Sequence, residues 1–71
     1  MNIQEFKDNG VIFVDERAVW IDDTVKIGKG TVIEPNVYLK GDTVIGENVV
    51  IGFCTEIVNS KIGDNVDIKH S

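Results

Sequence analysis

A chain of 71 residues with seven Lys and Arg against twelve Asp and Glu, net charge −5, makes one small acidic domain and leaves no room for a second. A chain this short buries only about 60% of the surface its unfolded form exposes, which disfavours a deep cleft inside one subunit, and its charge disfavours nucleic acid and anionic membranes, both of which are bound through clustered Lys and Arg. One cysteine cannot close an intrachain disulfide, no apolar run exceeds the four residues Val11 to Val14, far short of the ~20 of a spanning helix, and Met1 to Gly10 holds no apolar signal core, so the chain reads as soluble and cytoplasmic.

In chain order, Asn2 to Asn9 reads as a short helix with Ile3 and Phe6 on one side, ending at Gly10, and Val11 to Val14 reads as a strand. Residues 1–20 together form an amino-terminal cap or linker. From Ile21 a repeat takes over and sets the architecture of residues 21–71. Steps of six give Ile21, Ile27, Ile33, Leu39, Ile45, Ile51 and Ile57, and after one step of five come Ile62 and Ile68. Four residues after each large aliphatic stands a small or β-branched residue: Val25, Thr31, Val37, Thr43, Val49, Thr55 and Val66, with Ser60 in the short repeat. Two such residues, two apart, lie on one face of a strand, so each repeat carries one short strand with both pointing inward. In the short repeat this places Lys61 outward, where the six-residue phase would have buried an unpaired ammonium.

Between strands come Lys29-Gly30, Pro35-Asn36, Gly41-Asp42, Glu47-Asn48 and Asp64-Asn65, with Asp23-Thr24 and Phe53-Cys54 as weaker cases. The second member is the one expected to take positive φ and turn a corner. Strands of two or three residues with a corner every six cannot pair as hairpins and must coil. Three repeats per turn stack residues 18 apart, placing Ile27 under Ile45, Gly28 under Gly46 and Ile33 under Ile51. The expected cross-section is triangular, with parallel ladders at ~4.8 Å between coils. Burial of the nine aliphatics at ~1.5–3 kcal/mol each is the main stabilising term. Ordering the backbone costs ~1–2 kcal/mol per residue, so just under three coils should be marginal alone.

This pattern of aliphatic, Gly, two turn residues and a small residue resembles the hexapeptide-repeat superfamily over residues 21–71. The resemblance implies an all-β fold, a left-handed parallel β-helix, and a homotrimer; the hand comes only from the resemblance, since general crossover rules favour a right-handed path. Within the superfamily, Gly10-Val11-Ile12-Phe13-Val14-Asp15, Ile27 to Asn36 and Val58 to Asn65 resemble the start of the carboxy-terminal domain of the bifunctional N-acetylglucosamine-1-phosphate uridylyltransferase and glucosamine-1-phosphate N-acetyltransferase. Glu16 departs from that family, which commonly has proline after the aspartate. The resemblance places the family's uridylyltransfer domain before Met1 and its acetyltransfer residues after Ser71, so it carries no catalytic, cofactor-binding or metal-binding residue onto this chain. Acetyl-CoA, UTP and magnesium are implied for the full-length family and no cofactor for this segment, which ends partway through a repeat and reads as a fragment of a larger transferase.

The remaining candidates have bland readings. His70, the lone histidine, lacks the partners that a general base or metal ligand needs; the γ-class carbonic anhydrases, which share this coil, require three histidines per zinc. Cys54 has no cation adjacent in sequence to lower its pKa and reads as an inert thiol. Gly28, Gly30, Gly46 and Gly52 lack the Lys-Ser/Thr that completes a phosphate loop and read as corner glycines. Thr31, Thr43 and Thr55 fall on different faces and point inward, which excludes a flat outward threonine array. The outward rows are Trp20, Tyr38 and Glu56 on one face, Val32, Val50 and Asp67 on a second, and Lys26, Val44 and Lys61 on the third. Either of the first two is a candidate subunit interface. The functional expectation is a structural, trimer-forming β-helix segment of a bifunctional sugar-nucleotide enzyme, without catalytic residues of its own. Alternatives are a stand-alone repeat interaction module and the repeat domain of another sugar-phosphate nucleotidylyltransferase.

Overall fold

Side chains six residues apart can share one interior only if the chain advances in short straight runs joined by corners, and the computed structural model, which describes residues 2–69, is built this way. Helix α1 (Ile3–Asp8) precedes ten strands: β1 (Ile12–Phe13), β2 (Val19–Ile21), β3 (Lys26–Ile27), β4 (Val32–Ile33), β5 (Val37–Lys40), β6 (Val44–Ile45), β7 (Val50–Ile51), β8 (Glu56–Val58), β9 (Lys61–Ile62) and β10 (Asp67–Ile68). Every strand pairing is parallel. The strands form three sheets: sheet A in the order β1-β4-β7-β10, sheet B in the order β2-β5-β8, and sheet C in the order β3-β6-β9. The result is a parallel β-solenoid of about three coils, the hexapeptide β-helix expected from the repeat.

The 18-residue register holds throughout the second coil, with Ile27 opposite Ile45, Ile33 opposite Ile51 and Leu39 opposite Ile57. The five-residue step removes one corner residue, so that Val44 faces Lys61 and Ile45 faces Ile62, and Lys61 is exposed as expected. At the other end, Ile12 pairs with Val32, so sheet A extends into the amino-terminal segment. The longer spacing there is absorbed by a corner in which the Asp15 carboxylate accepts the Arg17 N–H at 3.1 Å and the Asp15 carbonyl accepts the Ala18 N–H.

The core is a column of Ile21, Ile33, Leu39, Ile45, Ile51, Val37 and Val49, all fully enclosed. Ile27, Ile62 and Ile68 are only half-buried, which departs from a uniform nine-residue column. Ile27 has no sheet C strand below it, and Ile62 and Ile68 lie on the last strands of their sheets. Two threonines are fully buried and satisfied. Thr31 Oγ1 donates to the Gly46 carbonyl at 2.8 Å and accepts the Val49 N–H, while Thr43 Oγ1 donates to the Lys40 carbonyl at 2.7 Å and accepts the Ser60 N–H. An inward hydroxyl thus bonds backbone that the ladders leave over at a corner.

Helix α1 covers the first coil. Asn2 caps it by accepting the Glu5 N–H, Ile3 and Phe6 pack against the core, and Lys7 pairs with Glu16 at 3.0 Å. The helix occupies the Asn2–Asn9 stretch read from the sequence, and the strand lies within Val11–Val14.

Positive φ falls on the expected second corner member at Gly30, Asn36, Asn48, Cys54 and Asn65. At Gly41-Asp42 it falls instead on the first member, Gly41, and Thr24 has none. The reason at Gly41 is its neighbours: its N–H is bonded by Asp22 Oδ2 from the coil below, and the Asn59 amide oxygen of the coil above occupies the space a Cβ would need.

Gly28 lies under Gly46 so closely that a Cβ on Gly28 would sit 2.6 Å from the Gly46 carbonyl group, whereas a Cβ on Gly63, at the top of the same column, meets nothing within 4 Å. Thermal unfolding followed by circular dichroism should therefore show Gly28→Ala destabilised by about 1–3 kcal/mol, the usual cost of overpacking. Gly63→Ala should stay within about 0.5 kcal/mol of the parent.

Candidate functional site

With the interior filled by side chains, any function of this segment lies on its three outer faces. Strand alternation fixes what each presents, because the residue before each core aliphatic and the one after it both point out.

Sheet B carries Trp20, Tyr38 and Glu56 in one row, in the order the sequence implied, and Asp22, Lys40 and Val58 two residues on. Trp20 and Tyr38 are about half exposed, at 52% and 45%. Their polar neighbours are bonded among themselves. Trp20 Nε1 donates to Asp22 Oδ1 at 2.7 Å, and the other Asp22 oxygen accepts the Gly41 N–H at 2.9 Å. Lys40 Nζ pairs with Glu56 at 2.9 Å and lies 5.7 Å from the centre of the Tyr38 ring. The Gly41 N–H foremost, and then the Trp20 indole N–H, hold the Asp22 carboxyl below the usual range. The hydrogen bond to Glu56 pushes the Lys40 ammonium up. The sequence reading found the first row and missed the second, although the same alternation that gave Trp20 also brings Asp22, two residues on, to that face.

Sheet A presents Ile12, Val32, Val50 and Asp67, with Glu34 and Lys69 two residues after the second and fourth. Val32 and Val50 are half-buried by their neighbours, and Ile12 is exposed. Glu34 accepts the Phe53 N–H at 3.1 Å, and Asp67 pairs with Lys69 at 3.1 Å on open surface. Sheet C presents Lys26, Val44 and Lys61, followed by the side-chain-free column Gly28, Gly46 and Gly63.

The recesses are open, and one of about 400 Å³ lies on the sheet A face among Glu34, Val50, Phe53, Asp67 and Lys69. A second of about 430 Å³ is lined by Asn36, Tyr38, Cys54, Thr55 and Glu56; a third, of about 250 Å³, lies between α1 and the first coil beside Phe6 and Val25. Cys54 is an exposed free thiol on the corner after Phe53, its N–H bonded to the Pro35 carbonyl. His70 lies outside the described residues. Among the described residues no group of three or more His, Cys, Asp and Glu is gathered closely enough to hold a metal ion, and no helix is long and apolar enough to cross a membrane.

A parallel three-sided solenoid with an aliphatic every sixth residue, glycine or asparagine at its corners and its chemistry confined to flat outer faces defines a hexapeptide-repeat protein. The profile of the bacterial transferase hexapeptide (six repeats) family matches residues 24–59, and the chain belongs to that family. Among curated proteins, it is similar to the bifunctional protein GlmU of Staphylococcus haemolyticus, 51% identical over 71 residues, all of this chain and 16% of that protein. It is 52% identical over 63 residues to the bifunctional protein GlmU of Listeria monocytogenes serotype 4b, covering 89% of this chain and 14% of that protein. It is also 50% identical over 68 residues to the bifunctional protein GlmU of Lactobacillus johnsonii, covering 96% of this chain and 15% of that protein. The chain thus spans 14 to 16% of the length of these relatives.

Two outcomes follow from the site geometry. Because the folded-state pKa of Asp22 is depressed, its contribution to stability is full above the unfolded carboxylate value of ~3.9 and is lost as pH falls through the folded value. Asp22→Asn should melt lower than the parent at pH 7, and the gap should close on acidification below pH ~4; a gap independent of pH would show that the carboxylate charge is not what matters. Cys54 holds φ at 56°, where an L side chain other than Asn costs on the order of 1 kcal/mol. Cys54→Gly should therefore raise the midpoint of urea unfolding, and Cys54→Val should lower it.

Proposed function

We propose that this chain is a structural β-helix segment of a bifunctional sugar-nucleotide enzyme, one that acetylates glucosamine 1-phosphate from acetyl-CoA and makes UDP-N-acetylglucosamine by uridylyl transfer. The observation that carries this reading is the similarity along all 71 residues, at 51% identity, to a bifunctional protein GlmU. The fold adds a physical reason. The interior is a column of fully enclosed aliphatic side chains and the strands are tied coil to coil, which suits a segment whose work is to hold a shape.

In this reading the segment acts as a rigid spacer and assembles into a trimer through its outer faces, and the enzyme works in the cytoplasm. The catalytic groups of both reactions, and the sites for acetyl-CoA, UTP and magnesium, belong to the parts of the enzyme that this segment does not supply. A rigid solenoid suits that role because the inter-coil ladders fix the angle and height of each face relative to the next.

The test is a segment exchange. The corresponding 71 residues of the Staphylococcus haemolyticus protein are replaced by this chain, and acetyl transfer and uridylyl transfer are assayed separately in the purified hybrid. Both activities should remain within about threefold of the parent enzyme, as expected when core pattern and corner lengths are kept. A folded hybrid that has lost either activity would overturn the reading. The 71-residue chain assayed alone should transfer neither acetyl nor uridylyl groups.

A further inference from the structure

Asn9-Gly10 is the only Asn-Gly pair in the sequence, and it lies where α1 ends. Asparagine followed by glycine is the pair most open to attack on its own side chain, because glycine has no Cβ to hinder the approach. In that reaction the Gly10 nitrogen gives up its proton and bonds to the Asn9 side-chain carbonyl carbon, and ammonia leaves. Water then opens the five-membered imide to give aspartate or isoaspartate at position 9. Asn2, Asn36, Asn48 and Asn65 are each followed by Ile or Val, whose branched side chains hinder the same approach, and Asn59 is followed by Ser60.

Both residues of the pair are exposed, yet the fold holds them in an unreactive arrangement. Ring closure needs the Gly10 nitrogen nearly eclipsed with the Asn9 Cβ about the Cα–C bond. With ψ of Asn9 at 11°, it eclipses the Asn9 nitrogen instead. The Gly10 N–H donates to the Lys7 carbonyl at 3.0 Å, the Asn9 N–H donates to the Glu5 and Phe6 carbonyls, and the Gly10 carbonyl accepts the Gly30 N–H at 2.9 Å. Attack therefore waits for the end of α1 to unwind.

The hold on that helix is weak. It has six residues, none of them buried, and helices shorter than ~12–15 residues depend on packing for their stability. Ile3 and Phe6 are partly buried against the core, and the Lys7–Glu16 pair is exposed at both ends, where an ion pair contributes little. The coils, by contrast, are tied together by ladders on three sheets. A segment with so few apolar contacts opens locally while the rest stays folded.

We infer that Asn9-Gly10 is a deamidation site gated by α1, closed while the helix is seated on the first coil and reactive when the helix lifts from intact coils. The product sets a second carboxylate beside Asp8 at the carboxy-terminal end of the helix, where the macrodipole disfavours it. A change made in the open state thus opposes the return to the closed one.

The experiment incubates the full chain and a synthetic peptide of residues 5–14 in the same mildly alkaline buffer. Acid and isoaspartate at each asparagine are followed by peptide mass mapping, with far-UV circular dichroism confirming that every variant is folded. Asn9 should convert about tenfold or more slowly in the folded chain than in the peptide, since only the open fraction reacts. Phe6→Ala should bring the rate to within about threefold of the peptide, and Glu16→Gln, which leaves the apolar contacts in place, should raise it about twofold. Conversion at Asn59, whose side-chain oxygen accepts the Asp42 N–H between upper coils, should stay at the parent rate in both variants. Asn9→Asp should speed hydrogen exchange at the Val11 amide, which is bonded to the Phe6 carbonyl. No acid at position 9 in chain or peptide would overturn the site. Equal rates in folded chain and peptide, no acceleration in Phe6→Ala, or acceleration at Asn59 alongside Asn9 would overturn the gate. Unchanged exchange at Val11 in Asn9→Asp would overturn the effect of the product on closing.

Discussion

The structure depends on the backbone ladder between one coil and the next. Each strand is only two to four residues long and could not stand alone, and no strand is joined to its neighbour in a sheet by a tight turn. Its N–H and C=O groups find partners only because the chain returns, one circuit later, to the same place at the same height. A circuit of fixed length is therefore the condition for every other feature. It puts aliphatics above aliphatics in the column from Ile21 to Ile57, and it lets Gly28 approach Gly46.

The corners satisfy what the ladders cannot. Side chains from one coil bond the backbone of its neighbour: Asp22 takes the Gly41 N–H, Asn59 the Asp42 N–H, Asp64 the Glu47 N–H and Glu34 the Phe53 N–H. Several of the acidic and amide residues at the corners are thus structural fasteners.

The register was legible in the sequence because it is carried by residues that have no alternative. An aliphatic every six positions, a small residue four after it and an unburiable Lys61 together allow one phase, and the structure has that phase at every paired strand. The outer rows followed from it by alternation alone. What escaped was whatever depends on neighbours in space. The shift of positive φ to Gly41 comes from Asp22 below and Asn59 above, and the positive φ of Cys54 comes from a corner that continues the one at Asn36, with no residue preference behind it. The bonds of the Trp20, Asp22 and Gly41 group join residues up to 19 positions apart, where composition and periodicity give no hint of who donates to whom.

The chain twice changes the length of a circuit, and both changes fall at corners. The segment from Val14 to Ala18 adds residues and Asn59 stands where two residues stood a coil earlier, yet the strands on either side keep their faces. A single residue gained or lost inside a strand would instead turn every following side chain to the wrong side. The solenoid is therefore a scaffold with marked insertion points. New material can be spliced at its edges at a closure cost that grows only slowly with length, so that such a coil can acquire a loop, and with it a novel surface, without its interior registering the event.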